Sequence, residues 1–376
     1  MNAHAAPDSM TFDTARGPCT VHVGPGAIAH LAHLVPPLRA AGRVFVVADA
    51  NVSEDHAARA IDGLIAAGIA VDRTTIVATE AAKSLDTVAF LYDAFAEARV
   101  ERRTPVVAIG GGITGDVAGY AAATWLRGVP VVQVPTTLLA MVDASIGGKT
   151  GVNLPLPGGG LGKNMVGAFW PPSHIVADPL TLATLDDRTF RSGFGECIKH
   201  GLIASPALLE MIEADATALL DRQPDACSRL VARAARIKID VVVQDEREAG
   251  IRAHLNLGHT FAHAVEAIAG GKLTHGEAVA IGLVAAADVA AHLGRIGLDD
   301  VDALRRRLEV LGLPASLPAP AADWPVDRLC GLMLHDKKVD AGAVRLVVAG
   351  PAGTCTIEAA DPAMVQRAWA AVGAGA

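Results

Sequence analysis

Two histidines four residues apart, His259 and His263 in NLGHTFAHAVEAI, share one face wherever that segment is helical. A third, His275, opens a second apolar segment, HGEAVAIGL, and Glu196 lies in GFGECIKHG with Lys199 and His200 close behind. Imidazole nitrogens and a carboxylate oxygen are donors that zinc, cobalt or a similar divalent ion accepts. Three donors drawn from different helices also leave a coordination position open for substrate, as a catalytic site requires. A zinc peptidase needs glutamate directly after its first histidine, in the pattern HExxH, and Thr260 stands there, which sets that class aside. His200, His254, His292 and His335 show no ligand spacing and read as structural, surface or supporting residues.

Two glycine-rich segments could hold anions. Gly110, Gly111 and Gly112 follow VVAI directly and continue through Ile113, Thr114, Gly115 and Asp116 into VAGYAAATWL. A strand, a glycine turn and a helix start bring backbone amides and the positive helix end to a pyrophosphate. The pattern GGGxxGD differs from GxGxxG, and a tight structural turn would also satisfy it. Thr136 and Thr137 end the next apolar run, at the strand edge where ligands of such sheets bind. Gly147 to Gly167, GGKTGVNLPLPGGGLGKNMVG, holds eight glycines with Lys149 and Lys163. It reads as a long loop without regular structure whose lysines and amides capture phosphate or carboxylate.

These groups need a scaffold, and 376 residues exceed what one hydrophobic core usually serves, so two domains are expected. Apolar runs at 43 to 49, 74 to 78, 104 to 111 and 129 to 135 alternate with helical patterns such as EDHAARAIDGLIAAG and SLDTVAFLYDAFAEARV. That alternation predicts an α/β fold, an N-terminal Rossmann-like parallel sheet covered on both faces. From Asp187 to about Leu311 the spacing is helical, and VRLVVAG (344 to 350) is one late strand. The boundary is expected near Asp186, giving a Rossmann-like domain over 1–186 and a mainly α-helical, metal- and substrate-binding domain over 187–376.

A net charge of −8 excludes nucleic acid and anionic membranes as partners, because no net positive field releases counterions. The apolar stretch Ala278 to Leu293 is interrupted by Asp288 and His292, and is expected to be a buried bundle helix, not a membrane span. Five scattered cysteines without a CxxC pair, and no signal peptide in the first ten residues, point to the cytoplasm.

GGGITGD, VPTTLLAMVDASIGGKTGVN, GKNMVGAFW, SGFGECIKHG, RAHLNLGHTFAHAVE, THGEAVAIG and HDKKV, in that order from Gly110 to Lys338, resemble the 3-dehydroquinate synthase family. The resemblance implies an NAD-dependent cyclase that converts 3-deoxy-D-arabino-heptulosonate 7-phosphate, a phosphorylated sugar acid, to 3-dehydroquinate and phosphate in the shikimate pathway. It implies Glu196, His259 and His275 as ligands of one zinc or cobalt ion, and moves His263 to the substrate side. NAD contacts are implied at Gly112, Ile113, Thr114, Gly115, Asp116, Thr136, Thr137, Lys149, Lys163, Thr181, Leu182, Ala183 and Thr184, and more loosely at Asn51, Glu80 and Lys83. Substrate contacts are implied at Asp143, Lys149, Asn164, Lys199, Lys238, Arg252, Asn256, His263 and one or both of Lys337 and Lys338. Arg127 matches an arginine that reaches the partner subunit's site, which implies a homodimer.

Two local departures stand out. PGGG enlarges the loop between Lys149 and Lys163, and Phe194 and Gly195 stand where a leucine–alanine pair is expected before Glu196. Sibling sugar phosphate cyclases making an aminodehydroquinate, a valiolone or an inosose are the nearest alternatives, followed by a metal-dependent polyol dehydrogenase and a non-catalytic NAD or phosphosugar sensor. Arg252, suited to a carboxylate by its planar fork, argues against substrates without one.

Overall fold

The structure, a computed structural model, describes residues 7–52, 54–157, 161–334, 339–340 and 343–375. Lys337, Lys338, His335 and residues 158–160 of the enlarged loop lie outside the described residues. Contacts divide the chain into two compact units, residues up to 185 with 222–247, and 186–221 with 248–376.

In the first unit a seven-stranded sheet forms from β1 (Asp8–Thr14), β2 (Gly17–Val23), β3 (Arg43–Asp49), β4 (Ala70–Ile76), β5 (Val106–Gly110), β6 (Val131–Pro135) and β9 (His174–Ala177). Its order is β1-β2-β9-β6-β5-β3-β4, parallel throughout except for the β1–β2 pair. Taking β3, β4, β5, β6 and β9 as one to five, their spatial order is 2-1-3-4-5, a doubly wound arrangement whose direction reverses between β3 and β5. Ligands of such sheets bind outside the carboxyl ends at that reversal, where Asp49 and Gly110 end their strands. The strands are continuously apolar because both faces are covered. Val46, Val107, Val132 and Val134 pack with Leu31, Leu38 and Leu64 on one side, and Phe45, Val47, Val106 and Val131 pack with Leu91, Phe95 and Val117 on the other.

The remaining two strands of this unit lie in the segment expected to be an unstructured loop. β7 (Lys149–Pro155) and β8 (Leu161–Phe169) form an antiparallel hairpin. The glycines that made it read as a loop permit the pairing. A methyl group on Gly151 would lie 2.7 Å from the Val166 carbonyl oxygen, so only a bare backbone fits. The Pro224–Gln244 helix belongs to this unit too, packing on β1, β2 and the Ala140–Ala144 turn.

The second unit is helical, with long helices at Asp187–Ala204, His259–Ala269, His275–His292 and Leu298–Val310. The late strand is one of three. β10 (Val339–Asp340), β11 (Ala343–Ala349) and β12 (Cys355–Ala360) make a small antiparallel sheet. The His275–His292 helix is buried almost throughout, as expected of its apolar sequence, and among the described residues no helix is long and apolar enough to cross a membrane. Trp369 is fully buried and meets Phe261 edge-on at 5.0 Å, anchoring the terminal helix Pro362–Ala371 to the His259–Ala269 helix.

Candidate functional site

The expected metal ligands Glu196, His259 and His275 fall in the second unit, on three helices that glycine brings together. A methyl on Gly195 would stand 2.7 Å from the Gly276 carbonyl oxygen, and one on Gly276 would stand 2.5 Å from the Ser192 carbonyl carbon. The Asp187–Ala204 and His275–His292 helices therefore cross backbone to backbone, beside Glu196 and His275. This gives a physical reason for the local departure at position 195, since an alanine there would hold the helices apart. A methyl on Gly282 would stand 3.0 Å from the Ala262 amide nitrogen, so the His259–Ala269 helix also approaches closely.

Each ligand candidate is set by its helix end. His275 is the first residue of its helix, which Thr274 caps by accepting from the Glu277 amide (3.3 Å) while Glu277 accepts from the Thr274 amide (2.7 Å). Arg188 braces Glu277 with two bonds of 2.8 and 2.7 Å. His259 follows Gly258, whose φ of 76° turns the chain into the helix. The His259 Nδ1–H donates to the Leu257 carbonyl (3.2 Å) and the His275 Nδ1–H to Glu266 Oε1 (3.0 Å). Both Nε2 atoms consequently face the buried Glu196, 3.4 and 3.2 Å from its Oε1. Two donors about 2.1 Å from one ion at the tetrahedral angle stand roughly 3.4 Å apart, so these separations fit a shared cation. The carbonyl and carboxylate behind the two rings fix their tautomers as metal-ligating histidines require.

The electrostatics are those of a cluster that holds positive charge. Burial opposes a proton on His275, but Glu196 and Glu266 outweigh it and raise its pKa to about 10. Burial, Lys199 and the two neighbouring histidines push His259 well below the ordinary range. Lys199, itself fully buried, pairs with Glu196 Oε2. His263 meets His259 edge-on at 5.7 Å and is exposed, while Arg252 is 1% exposed and Asn256 donates to Glu248 (3.0 Å). Glu266, absent from the sequence expectations, carried a signal there. It lies seven residues after His259, two turns along the same face.

The cofactor candidates all fall in the first unit. The Gly112–Thr124 helix starts after Gly111 with no side-chain cap among the described residues, so its first-turn amides face outward. Gly110 must be glycine, because a methyl there would lie 2.7 Å from Thr114 Cβ and 2.9 Å from Asp49 Cβ. Thr136 donates its amide to the Gly110 carbonyl (2.9 Å), which joins β6 to the turn. Asn51 folds back on Asp49 (3.1 Å) at the end of β3, across the reversal from Gly110. Lys83 and Asp116 form a largely buried ion pair of 2.5 Å, in which burial raises the Asp116 carboxyl's pKa against the pull of Lys83. Asp178 caps the turn that carries Thr181, Leu182, Ala183 and Thr184, and Thr181 and Leu182 are buried. Lys149, Lys163 and Asn164 lie on the hairpin, and Lys238 pairs with Asp143. Their separation of 95 positions in the chain hid the pair from sequence reading.

Residues 73–192 match the 3-dehydroquinate synthase N-terminal family and residues 193–339 the 3-dehydroquinate synthase C-terminal family. The chain belongs to the 3-dehydroquinate synthase family. A 3-dehydroquinate synthase of Synechocystis sp. is 43% identical over 345 residues, covering 91% of this chain and 93% of the relative. Among solved structures, 2-epi-5-epi-valiolone synthase from Streptomyces hygroscopicus, with NAD+ and Zn2+ bound, is 28% identical with a TM-score of 0.84, covering 98% of each chain. A 2-deoxy-scyllo-inosose synthase, complexed with carbaglucose-6-phosphate, NAD+ and Co2+, is 25% identical with a TM-score of 0.86, covering 96% of this chain and 98% of that one. Membership of the 3-dehydroquinate synthase family accounts for the order of the motifs from Gly110 onward.

Proposed function

We propose that this chain is a 3-dehydroquinate synthase, converting 3-deoxy-D-arabino-heptulosonate 7-phosphate to 3-dehydroquinate and phosphate by oxidation at C5, phosphate elimination, re-reduction and aldol closure. The observation that carries the reading is the Glu196, His259 and His275 cluster, on glycine-packed helices of a chain that is 43% identical to a 3-dehydroquinate synthase. A divalent ion on these ligands supplies a Lewis acid that acidifies and orients adjacent substrate hydroxyls, and NAD supplies a hydride acceptor that is restored within one turnover. Zinc and cobalt both suit the donor set.

The chain's own residues position and neutralise. Gly112 to Asp116 hold the NAD pyrophosphate on first-turn amides, with Thr136, Thr137, Lys149, Lys163 and the 181–184 turn around it and Asn51, Glu80 and Lys83 on the adenosine side. Arg252 grips the substrate carboxylate with its planar fork. Asp143, Asn164, Lys199, Lys238, Asn256 and His263 hold the sugar and its phosphate, with Lys337 or Lys338. Little acid–base machinery is needed, since the departing phosphate is itself a base, and the residues act chiefly by orientation and charge stabilisation.

The domains in this reading are an NAD-binding domain over 1–186 and a metal- and substrate-binding domain over 187–376, apart from 222–247, which pack with the first; the compartment is the cytoplasm, and the protein is a homodimer with Arg127 reaching the partner's site. Leu126 and Arg127 are consecutive exposed residues at φ 50° and 67°, a strained turn of the kind retained at functional contacts.

The deciding experiment mixes protein, NAD, a divalent metal and the heptulosonate phosphate, with sedoheptulose 7-phosphate as competitor. Phosphate is released without net NADH, and a chelator stops release. Steady NADH production refutes the cyclase in favour of a dehydrogenase, and preference for the sedoheptulose substrate favours a sibling cyclase.

A further inference from the structure

Asn153 is not among the contacts assigned above, yet it is 2% exposed and lies where the hairpin register slips between Val152 and Leu154. Its backbone leaves the ladder, and its amide donates to the Lys83 carbonyl (2.8 Å) instead of to β8. The side-chain Nδ2 donates to the Glu80 carbonyl (3.2 Å) and to Glu80 Oε2 (2.9 Å), while Oδ1 accepts the Asn164 amide (2.9 Å). Every one of these partners has a fixed polarity, so the orientation of the side-chain amide is determined. Asn164 sits at φ 52°, in the left-handed region that asparagine tolerates better than most residues, and the bond from its amide holds it there. One buried side chain thus joins three segments, the Glu80–Lys83 turn, the bulged strand β7 and the strained residue of β8. Lys83, one end of this tie, is also paired with Asp116 at the start of the glycine-turn helix.

We propose that Asn153 is a positioning residue that holds the cofactor-side turn at Glu80–Lys83 and the substrate-side residue Asn164 in mutual register, so that NAD affinity and substrate affinity depend on it together. The inference rests on the functional reading above, which places Glu80 and Lys83 toward NAD and Asn164 toward the substrate. β7 holds no other asparagine or glutamine. Aspartate at 153 keeps an acceptor but loses the donor, and sets its charge against Glu80.

The test measures the NAD Kd by titration, and the heptulosonate phosphate KM and kcat by phosphate release, for the intact metal-loaded protein. Asn153→Asp raises both the Kd and the KM by about tenfold, the scale of a lost charge-assisted hydrogen bond, while kcat at double saturation stays within about threefold. Adding Glu80→Gln to Asn153→Asp restores a donor opposite an acceptor and recovers most of both losses. Glu80 is exposed, so Glu80→Leu cuts the tie from the surface in a folded protein. It raises the substrate KM at saturating NAD although Glu80 belongs to the cofactor side. The inference is overturned by a folded Asn153→Asp with both constants within twofold of the parent, by a change in only one of them, or by a loss of thermal stability that the Glu80→Gln partner does not reverse. If Asn153→Asp does not fold, the Glu80→Leu result decides: an unchanged substrate KM overturns the inference. Parent turnover with unmoved variants refutes this inference alone, whereas no parent turnover refutes the functional reading and the inference with it.

Discussion

Gly276→Ala is expected to dismantle the metal cluster without touching a ligand. The added methyl would lie 2.5 Å from the Ser192 carbonyl carbon and 2.7 Å from its Cα, where carbon atoms normally rest about 3.5–4.0 Å apart. Both obstacles are backbone, so relief requires the two helices to separate by roughly 1 Å. Metal sites tolerate about 0.2 Å in ligand distance, so a movement of that size beside His275 and Glu196 breaks the coordination. Alanine would add about 1 kcal/mol of helix propensity, but overpacking of this kind costs about 1–3 kcal/mol or more, so the clash prevails. Gly195→Ala is the milder case, since its methyl would meet the Gly276 oxygen at 2.7 Å and Cα at 3.1 Å. Zinc or cobalt affinity, measured by competition with a chelator and checked by elemental analysis, should fall about 100-fold for Gly276→Ala and less for Gly195→Ala. A Gly276→Ala protein that binds metal within threefold of the parent and melts at the same temperature would refute the reasoning, as would the reverse ranking of the two.

Removing the Glu266 carboxylate by Glu266→Leu should weaken metal binding about 10–100-fold by leaving the His275 Nδ1–H without its acceptor, and the same chelator competition reads it. Lys238→Met removes the lysine that pairs with the Asp143 carboxylate, and should lower stability by about 3 kcal/mol in urea unfolding; Asp143→Asn added to it should recover most of that stability but not turnover. Stability should also fall in acid through the stacked pair His22 and His174 of the first unit. Burial lowers His22, and burial with His22 lowers His174 to about 4, so between an unfolded pKa near 6.5 and pH 4 the unfolded chain gains protons that the folded chain refuses. The loss attributable to His174 is about 1–3 kcal/mol, and His174→Gln should flatten the urea midpoint against pH across that window.

The parts legible in sequence were those with local cause. Arg43–Asp49, Val106–Gly110 and Val131–Pro135 were announced by β-branched runs, because strands buried on both faces are apolar at every position. The TTIVA run marks only the end of Ala70–Ile76, since Asp72, paired with Arg43, and the exposed Arg73 dilute the signal of that edge strand. β1 and β2 were missed because DSMTFDT is half polar, as suits an antiparallel edge. The hairpin of β7 and β8 was hidden by the glycines that make it possible. Within the candidate site, histidine and carboxylate types and their helical spacing were readable. Lys83 with Asp116, Lys238 with Asp143 and Asn153 with Glu80 were not, because each pairing is made by the fold between segments distant in sequence, and Asn153 with Asn164 was not, because it depends on the hidden hairpin.

The helix Pro224–Gln244 packs with the first unit although the chain reaches it only after Asp186–Asp221 of the second. On a ribosome, the sheet's last strand ends at Ala177 roughly fifty residues before this helix begins, which at about 5–20 residues per second is a delay of several seconds. Asp143 meets Lys238 only after that interval. The order of synthesis thus makes the first unit finish late, and a nascent chain halted before residue 224 carries a complete sheet with one helix still missing from its packing.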